Sequence, residues 1–221
     1  MDAVVLVFFL AVSYLLGSIP VGYLIVKWRK GIDIRTVGSR SMGATNVASQ
    51  CGWRWGIITI ICDFLKSFIP VSVVASLVWG IHWTTGLVGL FCVIGHVFPV
   101  LIPQPRFKGG KGVATTAGFL IPMLILIMGT YPQLWIFLTI GTILVVWIAI
   151  LRLFKRMGAA SLFLVASVMI FFGVLELKTH VTHLSLVVFG IAGLVLWAHR
   201  ANWKRLYHGT ERILEQEWEK Q

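Results

Sequence analysis

The chain has 221 residues, of which 58% are hydrophobic and only 12% are charged. Soluble domains contain about 45–50% apolar and about 25% charged residues, and disordered chains contain fewer apolar ones, so this composition excludes both classes. The 19 Lys and Arg residues outnumber the 8 Asp and Glu residues and give a net charge of +11, which is typical of a membrane protein with basic loops or of a protein that binds nucleic acid.

Apolar segments recur along the whole chain. A helix needs about 20 mainly apolar residues to cross a bilayer. We therefore predict an all-α integral membrane protein that forms a single polytopic membrane domain over residues 1–221. The seven predicted spans are residues 3–26, 57–79, 85–102, 112–129, 134–151, 160–177 and 183–198. Pro122 is expected to break the fourth of them.

The connections between these spans alternate in charge. Almost all Lys and Arg residues lie in the loops 27–56 and 103–111, in the turn 152–159 and in the tail after residue 198. By the positive-inside rule these connections face the cytoplasm, so the N-terminus lies outside and the C-terminus is cytoplasmic. Because topology explains the basic charge, we expect a lipid bilayer around the chain and no nucleic-acid partner.

The second basic loop ends in Lys108-Gly109-Gly110-Lys111-Gly112. Glycines allow a tight turn that brings backbone N–H groups to an anion, and the lysines add positive charge. A helix that begins at Gly112 directs its N-terminal N–H groups and its dipole to the same place. The segment predicts a phosphate site at the inner membrane surface or, alternatively, a flexible basic loop anchored to lipid head groups.

Polar residues around the second predicted span form another candidate. Ser39, Thr45 and Asn46 lie in a glycine-rich segment just before it, where hydroxyl and amide groups bind phosphate oxygens or cap a helix. Asp63 and Lys66 lie three residues apart on one face of the span. Charges at that depth form a structural ion pair or contact a substrate.

Two histidines lie at the basic ends of predicted spans. His96 is either a hydrogen-bonded interior residue or a catalytic group. His199 opens the polar tail, with Arg200, Asn202 and Arg205 following within two helical turns. His199 and Asn202 share one helix face, which favours a site role over an interfacial anchor.

Several catalytic signatures are missing from the sequence. No His is followed five positions later by Asp, no GxSxG motif occurs, and the basic side holds few acids, which argues against an acyl-CoA-type acyltransferase, a serine hydrolase and a metal-dependent phosphotransferase. The three cysteines form no CxxC pair, so we expect no disulfide framework and no zinc site. We also expect no cofactor and no other metal. Basic, hydroxyl, amide and imidazole groups suit a substrate that is already activated and carries phosphate.

Three motifs lie in order on the basic side. They are Gly17-Ser18-x-Pro20-x-Gly22 running on to Gly38-Ser39 and Gly43-Ala-Thr-Asn46, then Gly95-His96-x-Phe98-Pro99 with Phe107-Lys-Gly-Gly-Lys-Gly-Val-Ala-Thr115, and finally His199-Arg200-x-Asn202-x-x-Arg205-Leu206-x-x-Gly209-Thr210-Glu211. With these motifs the chain resembles, over almost its whole length, the bacterial acyl-phosphate:glycerol-3-phosphate acyltransferases of the PlsY type.

The resemblance implies transfer of a fatty acyl group from acyl phosphate to the 1-hydroxyl of glycerol 3-phosphate, which gives lysophosphatidic acid for phospholipid synthesis. It also implies the bacterial cytoplasmic membrane, an active site that faces the cytoplasm, and a functional link to an enzyme that produces acyl phosphate. The alternatives are a divergent transferase with another acyl acceptor or donor, and a small transporter of phosphate or lipid head groups.

The resemblance assigns catalytic roles to Lys111, His199 and Asn202. Together with the motifs it predicts substrate-binding and phosphate-binding residues, of which Ser39, Lys108, Gly109, Gly110, Gly112 and Ser161 match the family. The other predicted binding residues are Arg40, Thr45, Asn46, His96, Arg200 and Arg205. The chain departs from the family where Ser49 replaces a phosphate-binding Arg, where Arg40-Ser41 replaces Gly-Asn, and where Gly158 replaces a Ser. The general base is His199 or the phosphate of the substrate itself.

Overall fold

The structure of the chain is a computed structural model that describes residues 2–78, 83–102, 109–128, 133–154, 157–179 and 182–210. Within these ranges all regular structure is helical. The helices are α1 (Ala3–Gly17), α2 (Val21–Lys30), a 3-10 helix (Ile34–Thr36), α3 (Ala44–Cys51), α4 (Trp53–Val78), α5 (Trp83–Val97), α6 (Val113–Met128), α7 (Gln133–Phe154), α8 (Met157–Thr179), α9 (Thr182–Ala198) and α10 (Arg200–Tyr207). The all-α fold class is therefore confirmed.

Each predicted span coincides with helix, although the bounds differ. Two described stretches are long and apolar enough to cross a membrane by length and composition, namely Ala3–Lys30 and Trp53–Val78. A third such stretch arises if Leu184–Ala198 and Arg200–Tyr207, which meet at a bend of 55°, are one span. The other described apolar helices are shorter.

One proline explains a difference in bounds, and another does not break its helix as expected. The third predicted span, 85–102, is too long at its end, because α5 stops at Val97, two residues before Pro99, and a residue before proline is disfavoured in helix. The expected break at Pro122 was wrong, since α6 continues through it. The segment 27–56 is largely helical, because α2 extends to Lys30 and α3 lies inside it.

The helices group into two compact units, Met1–Met123 and Leu124–Gln221. In the first unit α1 packs against α4 and α5, and α3 packs against α2 and α4. A Cβ atom on Gly17 would overlap the carbonyl oxygen of Cys92, and one on Gly95 would overlap that of Tyr14. Glycine at both positions therefore allows α1 and α5 to cross with their backbones in close contact.

The first predicted span is interrupted between α1 and α2. Pro20 has no N–H to continue the helical bonds, so α1 ends at Gly17 and α2 starts at Val21. The hydroxyl of Ser18 donates to the carbonyl oxygen of Tyr14 at 2.8 Å, which keeps this buried turn close to α1. The interruption leaves backbone carbonyl groups at the end of α1 without intrahelical donors.

In the second unit α8 packs against α7 and α9, and the short helix α10 packs against α8 and α9. The chain bends at His199, which separates α9 from α10 and carries a φ of −87° and a ψ of 4°. This bend places a buried polar residue between an apolar helix and a basic one.

Candidate active site

The carboxamide of Asn46, in the first turn of α3, organises the segment before it. Its Nδ2 donates to the carbonyl oxygens of Ile34 and Val37, both at 3.2 Å, and of Ser41 at 2.8 Å. Its Oδ1 accepts from the backbone N–H of Ser39 at 3.1 Å. Because Asn46 is 1% exposed, these bonds form away from water and define the course of residues 34–43.

Two left-handed residues complete this segment. Gly38 has a φ of +56° and Arg40 a φ of +57°, and a Cβ atom on Gly38 would overlap the Asn46 carboxamide oxygen. Arg40 is exposed, whereas Ser39 and Thr45 are half-buried. Gly43 occupies the N-cap position of α3 without a side-chain cap, so the helix-capping interpretation of Thr45 and Asn46 was wrong.

Arg35 and Asp33 anchor the start of the same segment, although sequence reasoning gave neither a role. The Arg35 guanidinium donates from Nε and Nη2 to the Asp33 carboxylate at 3.0 and 2.7 Å, and it lies 5.3 Å from the ring centre of Tyr23. These bonds hold the pKa of Asp33 below its ordinary value of 3.8. The Asp-x-Arg spacing was the available signal, because it allows a bidentate contact across one turn.

Lys66 and Asp63 form the ion pair that their spacing indicated. The Lys66 Nζ lies 2.7 Å from the Asp63 carboxylate, and both side chains are 5% exposed. The same Nζ donates to the carbonyl oxygens of Ile19 at 2.9 Å and Gly17 at 3.4 Å, and it lies 3.3 Å from Nδ1 of His96. Lys66 therefore binds two backbone carbonyl groups at the interruption after α1, and that of Gly17 lies at the C-terminal end of the helix, where a cation is favourable.

A small cavity opens beside this pair. Its volume is about 10 Å³, and Asp63, Lys66, His96 and Pro99 are among its lining residues. That space is close to what one water molecule needs. The ion pair is thus buried in protein on one side and borders a small cavity on the other.

The glycine loop approaches α5 closely. The N–H of Gly109 donates to the carbonyl oxygen of Val97 at 3.2 Å, and that of Gly110 donates to the carbonyl oxygen of His96 at 3.1 Å. A Cβ atom on Gly110 would overlap the His96 imidazole. The expectation that these two N–H groups face an anion was therefore wrong, because both bind α5.

Other donors lie at the start of α6. Gly112 has a φ of +84° and turns the chain into the helix, and the first intrahelical bond joins the Thr116 N–H to the Gly112 carbonyl oxygen at 2.8 Å. The N–H groups of Val113, Ala114 and Thr115 precede that bond and have no partner inside the helix. Lys111, half-buried, stands directly before them. Lys108 lies outside the described residues.

The polar residues of the second unit surround the bend at His199. His199 is 1% exposed, and its Nδ1 donates to the carbonyl oxygen of Val195 at 2.8 Å, which leaves Nε2 as the basic nitrogen. The backbone N–H of Asn202 donates to the carbonyl oxygen of His199 at 2.8 Å, and Asn202 is also buried. The pair predicted to share a face is therefore adjacent and turned inward. Ser161 is half-buried near the start of α8.

The two tail arginines differ from this pair. The guanidinium of Arg200 is exposed, lies 3.8 Å over the Trp197 ring and donates to the Trp197 carbonyl oxygen at 3.2 Å. These contacts favour the interfacial-anchor role for Arg200. Arg205 is half-buried, and its carbonyl oxygen accepts from the Thr210 N–H at 2.8 Å. Across the described ranges, no three His, Cys, Asp or Glu side chains lie together as metal ligands.

Comparisons with known proteins agree on one family. The family model described as "Glycerol-3-phosphate acyltransferase" matches residues 7–209. The glycerol-3-phosphate acyltransferase of Geotalea daltonii is 38% identical over 201 residues, which are 91% of this chain and 93% of that protein. The enzyme of the same name from Aquifex aeolicus is 36% identical over 212 residues, 96% of this chain and 98% of its own.

A solved structure extends the agreement to the fold. The crystal structure of PlsY, an integral membrane glycerol 3-phosphate acyltransferase in its glycerol 3-phosphate form, is 32% identical to this chain and covers 94% of each chain with a TM-score of 0.79. Its lysophosphatidic acid form gives a TM-score of 0.76. By sequence and fold together, this chain belongs to the glycerol-3-phosphate acyltransferase family.

Proposed function

We propose that this chain transfers a fatty acyl group from acyl phosphate to the 1-hydroxyl of glycerol 3-phosphate and so produces lysophosphatidic acid for phospholipid synthesis. The observation that carries the proposal is the position of Lys111, directly before the N–H groups that open α6. A helix N-terminus with an adjacent ammonium group favours a phosphate. Both substrates carry one, and one of them also carries a lipid tail.

The proposed arrangement in the membrane follows from charge. The chain forms a single polytopic domain with seven spans, an outside N-terminus and a cytoplasmic C-terminus in the bacterial cytoplasmic membrane. The basic connections support this orientation through the positive-inside rule. An active site on the cytoplasmic side gives access to soluble glycerol 3-phosphate, and the acyl phosphate is supplied by a partner enzyme that makes it.

The reaction needs no covalent intermediate on the protein. Acyl phosphate is a mixed anhydride, so the glycerol hydroxyl oxygen attacks its carbonyl carbon directly, a new ester bond forms, and the bond to phosphate breaks with the electron pair leaving on inorganic phosphate. Holding the two groups in contact lowers the barrier by roughly 7–11 kcal/mol. Lys111 stabilises the charge on the departing phosphate.

The hydroxyl proton needs an acceptor. Nε2 of His199 is the basic nitrogen of that ring because Nδ1 donates to Val195, which supports His199 as the proton acceptor, with the phosphate of the substrate as the alternative. Asn202 orients the substrate next to it. The proposed contacts to phosphate and glycerol are made by Ser39, Arg40, Thr45, Lys108, Gly112, Ser161 and Arg205.

Four predicted binding residues take other roles in this proposal. Asn46 holds residues 34–43 in place for Ser39, since its carboxamide makes four bonds to that segment. Gly109 and Gly110 let the loop approach α5. Arg200 anchors the bend at the membrane interface through Trp197.

A donor-choice assay tests the function. Purified full-length protein is mixed with radiolabelled glycerol 3-phosphate and either palmitoyl phosphate or palmitoyl-CoA, and the lipid product is counted. We expect labelled lysophosphatidic acid with palmitoyl phosphate only. Product with palmitoyl-CoA only, or with neither donor, would overturn the proposal.

A further inference from the structure

The ammonium group of Lys66 lies next to one of the two ring nitrogens of His96. The Lys66 Nζ has only hydrogens to offer in a hydrogen bond, and it lies 3.3 Å from Nδ1 of His96. The Asp63 carboxylate is 3.7 Å from the same nitrogen, beyond hydrogen-bond distance. Nδ1 therefore accepts from Lys66, and the proton of the neutral imidazole is on Nε2.

Asp63 and the interruption between α1 and α2 keep Lys66 in this place. Its ammonium donates to the Asp63 carboxylate at 2.7 Å and to the Ile19 carbonyl oxygen at 2.9 Å. The third hydrogen lies between the Gly17 carbonyl oxygen at 3.4 Å and Nδ1 of His96 at 3.3 Å. Asp63, Lys66 and His96 are all buried, so little freedom remains for another arrangement.

The other side of the His96 ring lies against the glycine loop. A Cβ atom on Gly110 would overlap Nε2, so Nε2 is next to the backbone that leads to Lys111. Among the described residues, the hydrogen bonds of the ring itself are made through Nδ1. The Nε2–H is thus a neutral donor beside the loop proposed to bind phosphate.

We propose that Lys66 and Asp63 are positioning residues that fix His96 as the Nε2–H tautomer, and that His96 donates this hydrogen to a phosphate oxygen of a substrate bound at the glycine loop. The second half of this inference rests on the proposed function. His96 then binds phosphate as a donor and does not accept the reaction proton. His199 has the opposite arrangement, because its Nδ1 donates to Val195.

Two amide substitutions distinguish the ring nitrogens. The Gln side chain in His96→Gln places an N–H donor near the position of Nε2, whereas the Asn side chain in His96→Asn reaches only the position of Nδ1. We expect His96→Gln to keep kcat/KM within about threefold of the unmodified chain and His96→Asn to lose about tenfold or more, the effect of one hydrogen bond to a charged group. Equal losses, or a larger loss in His96→Gln, would overturn the donor role.

The KM values identify which phosphate is bound. KM is measured separately for acyl phosphate and for glycerol 3-phosphate. We expect His96→Asn to raise the KM of the substrate whose phosphate His96 binds, and to keep the KM of the other substrate close to the value in His96→Gln. A fall in kcat with both KM values unchanged would contradict phosphate binding by His96. The same assay on the unmodified chain tests the proposed function. A failure of the proposed function is therefore distinguished from a failure of the inference about His96.

The tautomer has a readout that does not depend on activity. The full chain is labelled with ¹⁵N in its histidine rings, and the His96 signals are assigned as those missing from His96→Gln. We expect a protonated Nε2 and an unprotonated Nδ1 in the unmodified chain, and a mixture of tautomers in Lys66→Met. A protonated Nδ1 in the unmodified chain would overturn the inference, whether or not Lys66→Met folds.

Discussion

The carboxamide oxygen of Asn46 accepts a hydrogen bond from the backbone N–H of Ser39 at 3.1 Å, seven residues earlier in the chain. Through this bond a buried side chain of α3 determines where a half-buried hydroxyl lies. Asn46, which the sequence suggested as a phosphate ligand, is therefore better explained as the support of Ser39, the proposed ligand. Experiments distinguish a supporting residue from a phosphate ligand, because substitution of the two has different effects on the chain.

Asn46→Ala is expected to destabilise the chain and to weaken binding of glycerol 3-phosphate. The substitution leaves the buried carbonyl group of Ile34 and the partly buried ones of Val37 and Ser41 without this donor, at a cost of about 2 kcal/mol or more. Thermal unfolding in detergent measures the loss as a lower Tm. Ser49→Ala is the matched control, since the Ser49 hydroxyl donates to the Asn46 backbone carbonyl oxygen at 2.9 Å and its bonds to the Asn46 and Gln50 side chains are longer, at 3.4 and 3.3 Å. A Tm equal to that of the control would contradict the supporting role.

Gly110→Ala is expected to abolish most of the activity while the fold is kept. The added Cβ atom meets the His96 imidazole, so the loop must move away from α5 and takes Lys111 with it. Gly193→Ala is the control, because nothing lies within 4 Å of a Cβ atom at that helical position, and it should behave as the unmodified chain. Equal activity in the two variants would show that the loop tolerates the shift.

The sequence was sufficient for the all-helical fold class, because the length of apolar segments is a local property. It was insufficient for the partners of the polar residues. Lys66 meets Ile19 across 47 residues, and nothing in the local pattern selects that pair. One signal was present, since Pro20 interrupts a long apolar run and leaves carbonyl groups that need a buried donor.

The glycines of the second motif show the same limit. Glycine allows backbone N–H groups to face an anion, and it also allows two backbones to approach closely. The sequence alone does not distinguish these two uses, because both require glycine. The contacts of Gly109 with Val97 and of Gly110 with His96 identify the second use. Gly112 has a positive φ, so the chain does turn at this glycine, as the motif predicted.

Asp33→Asn is expected to make stability less dependent on pH. The pKa of Asp33 is held below 3.8 by the hydrogen bonds from Arg35, so the carboxylate contributes stability above that pH and loses it as the pH falls through its lowered pKa. The Tm difference between the unmodified chain and Asp33→Asn should therefore shrink from neutral pH to about pH 3. A difference that stays constant over this range would rule out the linkage.

His199→Gln tests the proton acceptor. The Gln amide keeps hydrogen-bonding capacity but has no basic nitrogen, so we expect normal KM values and a kcat reduced by about 10²-fold, within the usual range for general base catalysis. Steady-state rates with both substrates varied measure this. If kcat falls less than about tenfold at normal KM, the phosphate of the substrate becomes the base that the reaction uses.

Lys111→Ala is expected to reduce kcat by about 10²-fold or more, because the transition state loses an ammonium group that stabilises the departing phosphate. Lys30→Ala is the matched control: Lys30 is an exposed lysine in the last turn of α2, and its loss should leave the rate unchanged. Both variants are assayed with palmitoyl phosphate in purified form, with equal Tm values as the check on folding. Near-normal turnover in Lys111→Ala would remove the glycine loop from the reaction and leave its lysine as a contact to lipid head groups.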